Sequence, residues 1–299
     1  MNRLISISGP TAVGKTKLSI DLAKKINSEI ISFDSRQFYK EMSIGTAVPK
    51  KNELDQVKHH FIQHKSINDC YNINQFSIDA KKLINELFKY KKYIVLVGGS
   101  FLYLKSIIYG INNIPEIPNE LRHTLNTQFE KKGIDFLRKL LKELDPKYYD
   151  IVDLNNHRRL IRAIEVCTHT NKPFSSYLKG FNEKKYNHTS ICLTLERDKL
   201  YNNINKRVDH MVDNGLIDEA KNLYKYKNLN PLNTIGYKEL FNHFDGSIKI
   251  DQAIDEIKKN TRRFAKKQFT WLNNNDDHVW LDSGAEINEN LKKLEKIFL

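Results

Sequence analysis

The chain has 299 residues, of which 40% are hydrophobic and 28% are charged, as in an ordinary soluble globular protein. This length suits one large domain, or one domain with an insertion. Its apolar runs are shorter than the roughly 18 residues of a membrane-spanning helix, which argues against a membrane protein. A cleaved signal peptide would remove the strand and loop patterns that begin at residue 4, so we expect a cytoplasmic protein.

The net charge is +13, and a basic chain of this size is often a partner of nucleic acid. Because Lys, Asn and Ile are frequent throughout, as an AT-rich genome would produce, the placement of the basic residues matters more than their number. The three cysteines are scattered, and His59, His60 and His64 lack acidic or cysteine partners at a metal-ligand spacing. We therefore do not expect a zinc site or a disulfide framework.

Strand and helix patterns alternate in the first third of the chain. Apolar residues at helical period predict helices, and short apolar runs bounded by turns predict strands. The predicted elements are strands at 4–8, 29–33 and 93–97, helices at 15–26, 75–89 and 101–109, and short irregular elements over 40–73. This order predicts a parallel sheet with helices on both faces. Its carboxyl edge would bring together the loops 9–16, 34–37 and 98–100.

The pattern changes after Gly110, since residues 119–182 show only helical periodicity with short breaks. We predict an all-helical insertion domain over 115–185, which interrupts an α/β core formed by residues 1–114 and 186–299. In the second part of the core we predict a strand at 190–195, helices to about residue 273, a strand at 278–281 and a terminal helix. The expected fold is a P-loop NTPase-like parallel sheet flanked by helices, with that insertion.

The segment between the first strand and the first helix matches G-x-x-x-x-G-K-[ST], the pattern of a phosphate-binding loop (P-loop), in the required context. Backbone N–H groups and the start of the helix attract phosphate, Lys15 adds a positive charge, and the Thr16 hydroxyl is suited to Mg²⁺. The predicted phosphate-binding residues are Gly9, Pro10, Thr11, Ala12, Val13, Gly14, Lys15 and Thr16. The motif alone leaves the reaction open, and an ATP-dependent small-molecule kinase is the alternative function.

The position of the acidic residue is unusual for an ATPase. A carboxylate often ends the third strand of P-loop enzymes, but here Gly98, Gly99 and Ser100 follow that strand. Asp34 instead follows the second strand. It could act as a general base, hold water on a metal ion, or simply stabilise a turn.

Six segments in order resemble the tRNA dimethylallyltransferase family, also called tRNA isopentenyltransferases or IPP transferases. They are the P-loop (family G-P-T-A-[SG]-G-K-[ST]), Asp34-Ser-Arg-Gln-Phe-Tyr39 (D-S-x-Q-x-Y) with Ile44-Gly-Thr-Ala47, Val97-Gly-Gly-Ser-Phe-Leu-Tyr103 (G-G-T-G-L-Y), Arg158-Arg-Leu-Ile-Arg-Ala-Ile-Glu165 (R-R-x-x-R-A-L-E), Ile235-Gly-Tyr-Lys-Glu239 (I-G-Y-[KR]-E) and Arg262-Arg-Phe-Ala-Lys-Lys-Gln-Phe-Thr-Trp271 (R-R-[YL]-A-[KR]-R-Q-x-T-W). The departures are Val13, Val48, Ser100, Lys267 and Asn273, and none of them removes a chemical role.

The resemblance implies transfer of a dimethylallyl group from dimethylallyl diphosphate to N6 of adenosine 37, which gives N6-isopentenyladenosine and diphosphate. It implies Mg²⁺ as cofactor and a tRNA anticodon stem-loop with adenosines 36 and 37 as partner. Asp34 would be the general base, and Ser100 would orient N6 or Asp34. Arg197 would bind the diphosphate, with Arg207 a weaker candidate. We expect a monomer.

The resemblance also implies a set of tRNA-binding residues spread over several motifs. They are Asp34, Ser35, Arg36, Gln37, Ser100, Arg122, Arg158, Arg159, Leu160, Ile161, Arg162, Gly236, Tyr237, Lys238, Arg262, Arg263, Lys266, Lys267 and Gln268. Two basic helix faces among them suit phosphate binding, although such faces are often merely solvated. A non-catalytic RNA-binding protein and an adenylate prenyltransferase are further alternatives. The long insertion and the basic helix favour a macromolecular acceptor over free adenylate.

Overall fold

One parallel sheet forms the centre of the fold in the computed structural model, which describes residues 2–178, 183–274 and 278–298. Its strands are β1 (Arg3–Ser8), β2 (Ile30–Ser32), β3 (His59–His60), β4 (Tyr93–Val97), β5 (His188–Thr194) and β6 (His278–Asp282). Their spatial order is β3-β2-β4-β1-β5-β6, and every pair is parallel. Because β1 lies between β4 and β5, the loop that follows it opens at the middle of the carboxyl edge, where ligands bind in such sheets.

The helices follow in chain order. They are α1 (Lys15–Lys25), α2 (Lys51–Leu54), α3 (Ile73–Leu87), α4 (Phe101–Ile108), α5 (Asn119–Lys132), α6 (Ile134–Leu144), α7 (Pro146–Tyr149), α8 (His157–Thr170), α9 (Arg197–Asp213), α10 (Leu216–Leu223), α11 (Tyr237–Phe244), α12 (Ile250–Asn273) and α13 (Ile287–Phe298). No helix among the described residues combines the length and the apolarity that crossing a membrane requires.

Both faces of the sheet are covered by helices, as the sequence predicts. Successive residues of a strand point to opposite faces. Leu4 of β1 therefore packs into a core with α3 and α4, whereas its neighbour Ile5 packs into a second core with α1 and α9. All four helices bury apolar residues in these cores, so the predicted α/β architecture is confirmed.

Most boundaries of the core elements lie within two residues of their predicted positions, and β4 spans the predicted residues. Helix α3 starts earlier than its predicted start at residue 75 because Asn72 Oδ1 accepts hydrogen bonds from Asn74 N (2.9 Å) and Gln75 N (3.1 Å). Strand β3 was not predicted. It has two residues, paired with Ile30 and Ile31, and is too short to show a periodicity.

Contacts divide the chain into two compact units, Met1–Tyr109 with Lys184–Leu299, and Gly110–Glu183. In the smaller unit the described residues form α5 to α8, a 3₁₀ turn at Phe174–Tyr177 and connecting loops. Its own apolar core includes the fully buried side chains of Leu137 and Leu141. Asp145, also buried, accepts hydrogen bonds from the N–H of Tyr148 (3.0 Å) and the N–H of Ser175 (2.6 Å).

Candidate active site

The P-loop connects β1 to α1 and takes a conformation that suits an anion. Ala12 and Gly14 have φ angles of 63° and 99°, in the left-handed region that glycine adopts most readily. No side chain among the described residues caps α1, and its first turn contains no acid. Its first N–H groups therefore remain available to an anionic ligand. The Lys15 ammonium donates to the carbonyls of Gly9 (3.0 Å) and Pro10 (2.8 Å).

A cavity of about 1040 Å³ opens beside this loop. Four groups of residues line it: the P-loop, the end of β2, the segment 43–55, and the facing sides of α9 and α12. They include Thr11, Lys15, Thr16, Asp34, Gln37, Ile44, Val48, Pro49, Asn203, Arg207, Met211, Phe264 and Gln268. The cavity is large enough for a prenyl diphosphate together with a nucleobase.

Burial shapes the charges at this cavity. It lowers the pKa of Lys15 to about 8, an effect that Asp34 opposes and Arg207 reinforces. Burial also lowers the pKa of Arg207, and the nearby charge of Asp34 opposes that shift. Two cations and one carboxylate thus lie close together around one cavity, where water screens their interactions weakly.

The structure places Arg207, and not Arg197, among the residues that line the cavity. Arg197 is exposed at the start of α9, where its guanidinium lies 5.2 Å from the ring centre of Tyr201. Arg207 lies ten residues further along the same helix, a rise of about 15 Å. There it lines the cavity, and its Nη1 donates to the Thr11 hydroxyl (3.4 Å). Arg197 was predicted because it lies close after β5, at the first residue of α9. It is a later turn of α9, the one that contains Arg207, that reaches the P-loop.

Asp34 lies at the cavity, in the turn that ends β2. Its Oδ1 accepts a hydrogen bond from Arg36 N (3.1 Å), and its own N–H donates to the Ser32 hydroxyl (3.3 Å). Ser100 does not bond to Asp34. The Ser100 hydroxyl instead accepts from Ser35 N (3.1 Å) and lies 3.1 Å from the Ser35 hydroxyl, so it connects the turn after β4 to the Asp34 turn.

Gln268 holds the P-loop against the turn after β4. Its Oε1 accepts from Thr11 N (2.9 Å), and its Nε2 donates to Gly99 O (3.1 Å). A Cβ at Gly99 would lie 2.6 Å from that Nε2, so a larger residue there would displace the Gln268 amide. Gln268 was predicted to bind tRNA, but it is 5% exposed and its amide is engaged by these loops. It lines the cavity and holds two of its loops together.

The donors at the cavity fit a hard divalent cation. The Thr16 hydroxyl and the Asp34 carboxylate line the same space, and oxygen is the ligand that Mg²⁺ prefers. No group of three His, Cys, Asp or Glu residues suited to a metal occurs within the described ranges. A cation here would complete its coordination with phosphate oxygens and water, as Mg²⁺ commonly does.

Comparison with known proteins identifies the family. The family model described as IPP transferase matches residues 37–275. The chain belongs to this family. It is 52% identical to the tRNA dimethylallyltransferase of Christiangramia forsetii, over 98% of this chain and 96% of that relative. It is 47% identical to the tRNA dimethylallyltransferase of Flavobacterium johnsoniae, over 97% and 96%.

Solved structures of the IPP transferase family share the fold. The full-length tRNA isopentenylpyrophosphate transferase of Bacillus halodurans superposes with a TM-score of 0.74 at 38% identity, covering 99% of this chain and 95% of that one. A eukaryotic dimethylallyltransferase acting on tRNA gives a TM-score of 0.80 at 26% identity, covering 95% of this chain and 74% of that one. The P-loop NTPase-like core predicted from the sequence is thus confirmed.

Gly236 and Tyr237, two residues of one family motif that were predicted to contact tRNA, form hydrogen bonds within the protein. Tyr237 is fully buried, and its hydroxyl donates to Glu219 Oε1 (2.7 Å). Gly236 begins α11 with a φ of 99°, and its N–H donates to Glu239 Oε2 (2.8 Å). Only Lys238 of this predicted trio is exposed. The sequence motif alone did not show that Gly236 and Tyr237 are buried and bond to other parts of the protein.

The turn after β2 also faces inwards more than predicted. The Arg36 guanidinium donates to the carbonyls of Asn230 (3.1 Å) and Pro231 (3.0 Å). Gln37, predicted to read an adenine edge, donates through Nε2 to Ala47 O (2.9 Å) while it lines the cavity. Both side chains hold neighbouring loops in place.

In the smaller unit, Leu160 and Ile161 are buried in the core and cannot contact tRNA through their side chains. Arg122 and Arg162 bind the fully buried Glu165, at 2.5 Å each from Oε1. Burial would raise the pKa of Glu165, but the hydrogen bonds from the two arginines outweigh it and lower this pKa. The described tRNA candidates that stay exposed on α8 are Arg158 and Arg159.

Helix α12 carries the second basic face. Arg262 Nη1 donates to Asn205 Oδ1 (2.6 Å), whereas Arg263, Lys266 and Lys267 are exposed. Phe264, which was not among the predicted tRNA-binding residues, is 43% exposed and lines the cavity. An aromatic ring next to exposed cations at the rim suits a single-stranded nucleic acid.

The three histidines are structural. His59 Nδ1 pairs with Val57 O (2.7 Å), and His60 Nε2 pairs with Glu29 Oε2 (2.6 Å). His64 packs edge-on against Phe38, and burial lowers its pKa to about 4.

Proposed function

We propose that this protein transfers a dimethylallyl group from dimethylallyl diphosphate to N6 of adenosine 37 in the tRNA anticodon loop. The observation that carries the proposal is one cavity that joins the P-loop, two partly buried cations and the Asp34 carboxylate. Relatives that are 47–52% identical over nearly the whole chain are named tRNA dimethylallyltransferases, which supports both substrates.

The cationic end of the cavity suits the donor's diphosphate. The allylic carbon–oxygen bond breaks more easily when the charge that develops on the leaving diphosphate is neutralised. The N–H groups at the start of α1, Lys15 and Arg207 would hold that group, with the Thr16 hydroxyl as an oxygen donor for Mg²⁺. When bound, Mg²⁺ supplies further positive charge to the phosphate oxygens.

The carboxylate end suits the acceptor. An exocyclic adenine amine is a weak nucleophile because its lone pair is delocalised into the ring. Asp34 would accept a hydrogen bond from N6–H and take the proton as the carbon–nitrogen bond forms. The backbone bond from Arg36 N fixes the orientation of this carboxylate.

The target base would leave the anticodon-loop stack to enter the cavity, which costs less in a loop than in a duplex. The exposed cations on α12, and separately those on α8, would bind phosphates of the tRNA. Phosphate contacts of this kind make binding strongly dependent on salt.

A radiolabel transfer assay tests the proposal. Wild-type protein is incubated with unmodified tRNA, Mg²⁺ and labelled dimethylallyl diphosphate, beside a parallel assay with ATP. We expect label in the tRNA, and its loss in the Asp34→Asn variant with folding intact. Turnover of ATP without prenyl transfer would support the small-molecule kinase instead, and RNA binding without turnover would indicate a non-catalytic protein.

A further inference from the structure

The carboxylate of Glu219, on α10, is held by three consecutive backbone N–H groups. Its Oε2 accepts from Ser43 N (2.9 Å) and Ile44 N (2.9 Å), and its Oε1 accepts from Gly45 N (2.9 Å). Bonds from successive N–H groups to one carboxylate are charge-assisted, and they fix the backbone that donates them. Glu219 lies outside the cavity lining, so its role is to hold this segment in place.

The same carboxylate receives a fourth bond. The Tyr237 hydroxyl donates to Glu219 Oε1 (2.7 Å), and the Tyr237 ring packs on Gly45. A Cβ at Gly45 would lie 2.6 Å from a ring carbon, so another residue there would push the two apart. Burial, followed by the charge of Glu219, raises the pKa of the Tyr237 hydroxyl, which therefore stays a donor.

The held segment forms one side of the cavity. On both sides of Gly45 the chain presents an apolar wall, which we define as Ile44, Ala47, Val48 and Pro49. Helix α9 contributes Met211 and Arg207 to the same cavity, and α10 follows α9 after a short turn. Glu219 thus connects the apolar wall to the helix pair that carries a diphosphate-binding cation.

We propose that Glu219 is a positioning residue that fixes the apolar wall against which the donor's prenyl chain lies, and so limits the donor to a five-carbon chain. This inference rests on the proposed function. With diphosphate held at the P-loop, Lys15 and Arg207, the prenyl chain needs apolar surroundings in the same cavity, and the wall provides them. A wall that is held rigidly excludes a ten-carbon chain better than one free to move.

The test compares dimethylallyl diphosphate with geranyl diphosphate as donors, each with unmodified tRNA. Glu219→Gln keeps the size of the side chain but replaces one acceptor oxygen with an NH₂ group and removes the charge. We expect the geranyl-to-dimethylallyl ratio of kcat/KM to rise about tenfold, the lower end of the range that one methylene contributes in an apolar pocket. Val48→Ala, which widens the wall directly, should raise the ratio in the same direction.

Asp145→Asn is the matched control. Asp145 is also a carboxylate that accepts backbone N–H bonds, from Tyr148 and Ser175, but it lies in the smaller unit. Its replacement should lower stability and leave the donor ratio unchanged, because general destabilisation does not alter the wall. Tyr237→Phe removes only the fourth bond, should raise the ratio about two- to threefold, and serves as the test should Glu219→Gln fail to fold.

The outcomes separate the two proposals. Wild-type protein that transfers no dimethylallyl group contradicts the proposed function. If the wild type is active and folded Glu219→Gln has an unchanged donor ratio, the proposed role of Glu219 is overturned. If Glu219→Gln does not fold, an unchanged ratio in Tyr237→Phe overturns that role. An unchanged ratio in Val48→Ala overturns the placement of the prenyl chain on the apolar wall. A ratio that rises equally in Asp145→Asn overturns the role of Glu219 as well.

Discussion

Replacing Arg207 should slow prenyl transfer far more than replacing Arg197, although the two arginines lie on the same helix. Arg207 lines the cavity beside Lys15, so its guanidinium can bond to the departing diphosphate. A hydrogen bond to a charged group contributes about 1.5–3 kcal/mol, which corresponds to a loss of about 10- to 150-fold in kcat/KM for Arg207→Ala. Most of the loss should fall on kcat, because the charge on the diphosphate grows as the bond breaks.

The control is Arg197→Ala. Arg197 is exposed and contacts the ring of Tyr201, so its removal should change kcat/KM less than about twofold. Arg207→Lys should fall between wild type and Arg207→Ala, since it keeps the charge and loses the planar donor fork. Initial rates at saturating tRNA and varied donor concentration measure all three. A loss in Arg197→Ala that equals or exceeds the loss in Arg207→Ala would refute the reasoning.

Three further predictions concern pH, stability and salt. Burial lowers the pKa of Lys15 to about 8, so its charged form is present below that pH and donor affinity should fall as the pH rises from 7 to 9. Binding titrations with the donor measure this fall, and Lys15→Arg should abolish it. A fall that persists in Lys15→Arg would contradict the prediction. Glu165→Gln should lower the free energy of unfolding by about 2 kcal/mol, because two partly exposed arginines lose their buried partner. Chemical denaturation monitored by circular dichroism measures this change. An unchanged midpoint would show that the contacts of Glu165 with Arg122 and Arg162 do not stabilise the fold. The double variant Lys266→Glu with Lys267→Glu should weaken tRNA binding and reduce the dependence of that binding on salt. The control Lys292→Glu, on the exposed side of α13, should change neither. Equal salt slopes for the double variant and the wild type in binding titrations would show that this part of α12 does not contact tRNA.

Local patterns in the sequence predicted the sheet, most of the helices and the P-loop. Strand β4 is a short apolar run that ends at two glycines, and helix α1 has helical periodicity, so their boundaries follow from nearby residues. Strand β3 has two residues and depends on pairing with β2, which is set by tertiary structure. Periodicity carries no information about such a short edge strand.

The site was predictable where one motif contains both the loop and its chemistry, as in the P-loop and Asp34. It was not predictable where a contact joins distant parts of the chain. Arg207 reaches the P-loop only because of the direction in which α9 runs, and Glu219 bonds to a segment more than 170 residues earlier. Motif residues such as Tyr237 and Leu160 were predicted to bind tRNA, but burial decides that they support the fold. A motif does not distinguish the residues that contact a substrate from the residues that support the fold around it.

The central claim is that Asp34 and the P-loop act on the same reaction, the prenylation of adenosine 37. The most direct measurement is mass analysis of nucleosides and of fragments around the anticodon, after unmodified tRNA reacts with dimethylallyl diphosphate and the wild-type protein. We expect N6-isopentenyladenosine at position 37 with the wild type, and none with folded Lys15→Ala or folded Asp34→Asn. Product at another position, or undiminished product in Asp34→Asn, would contradict it.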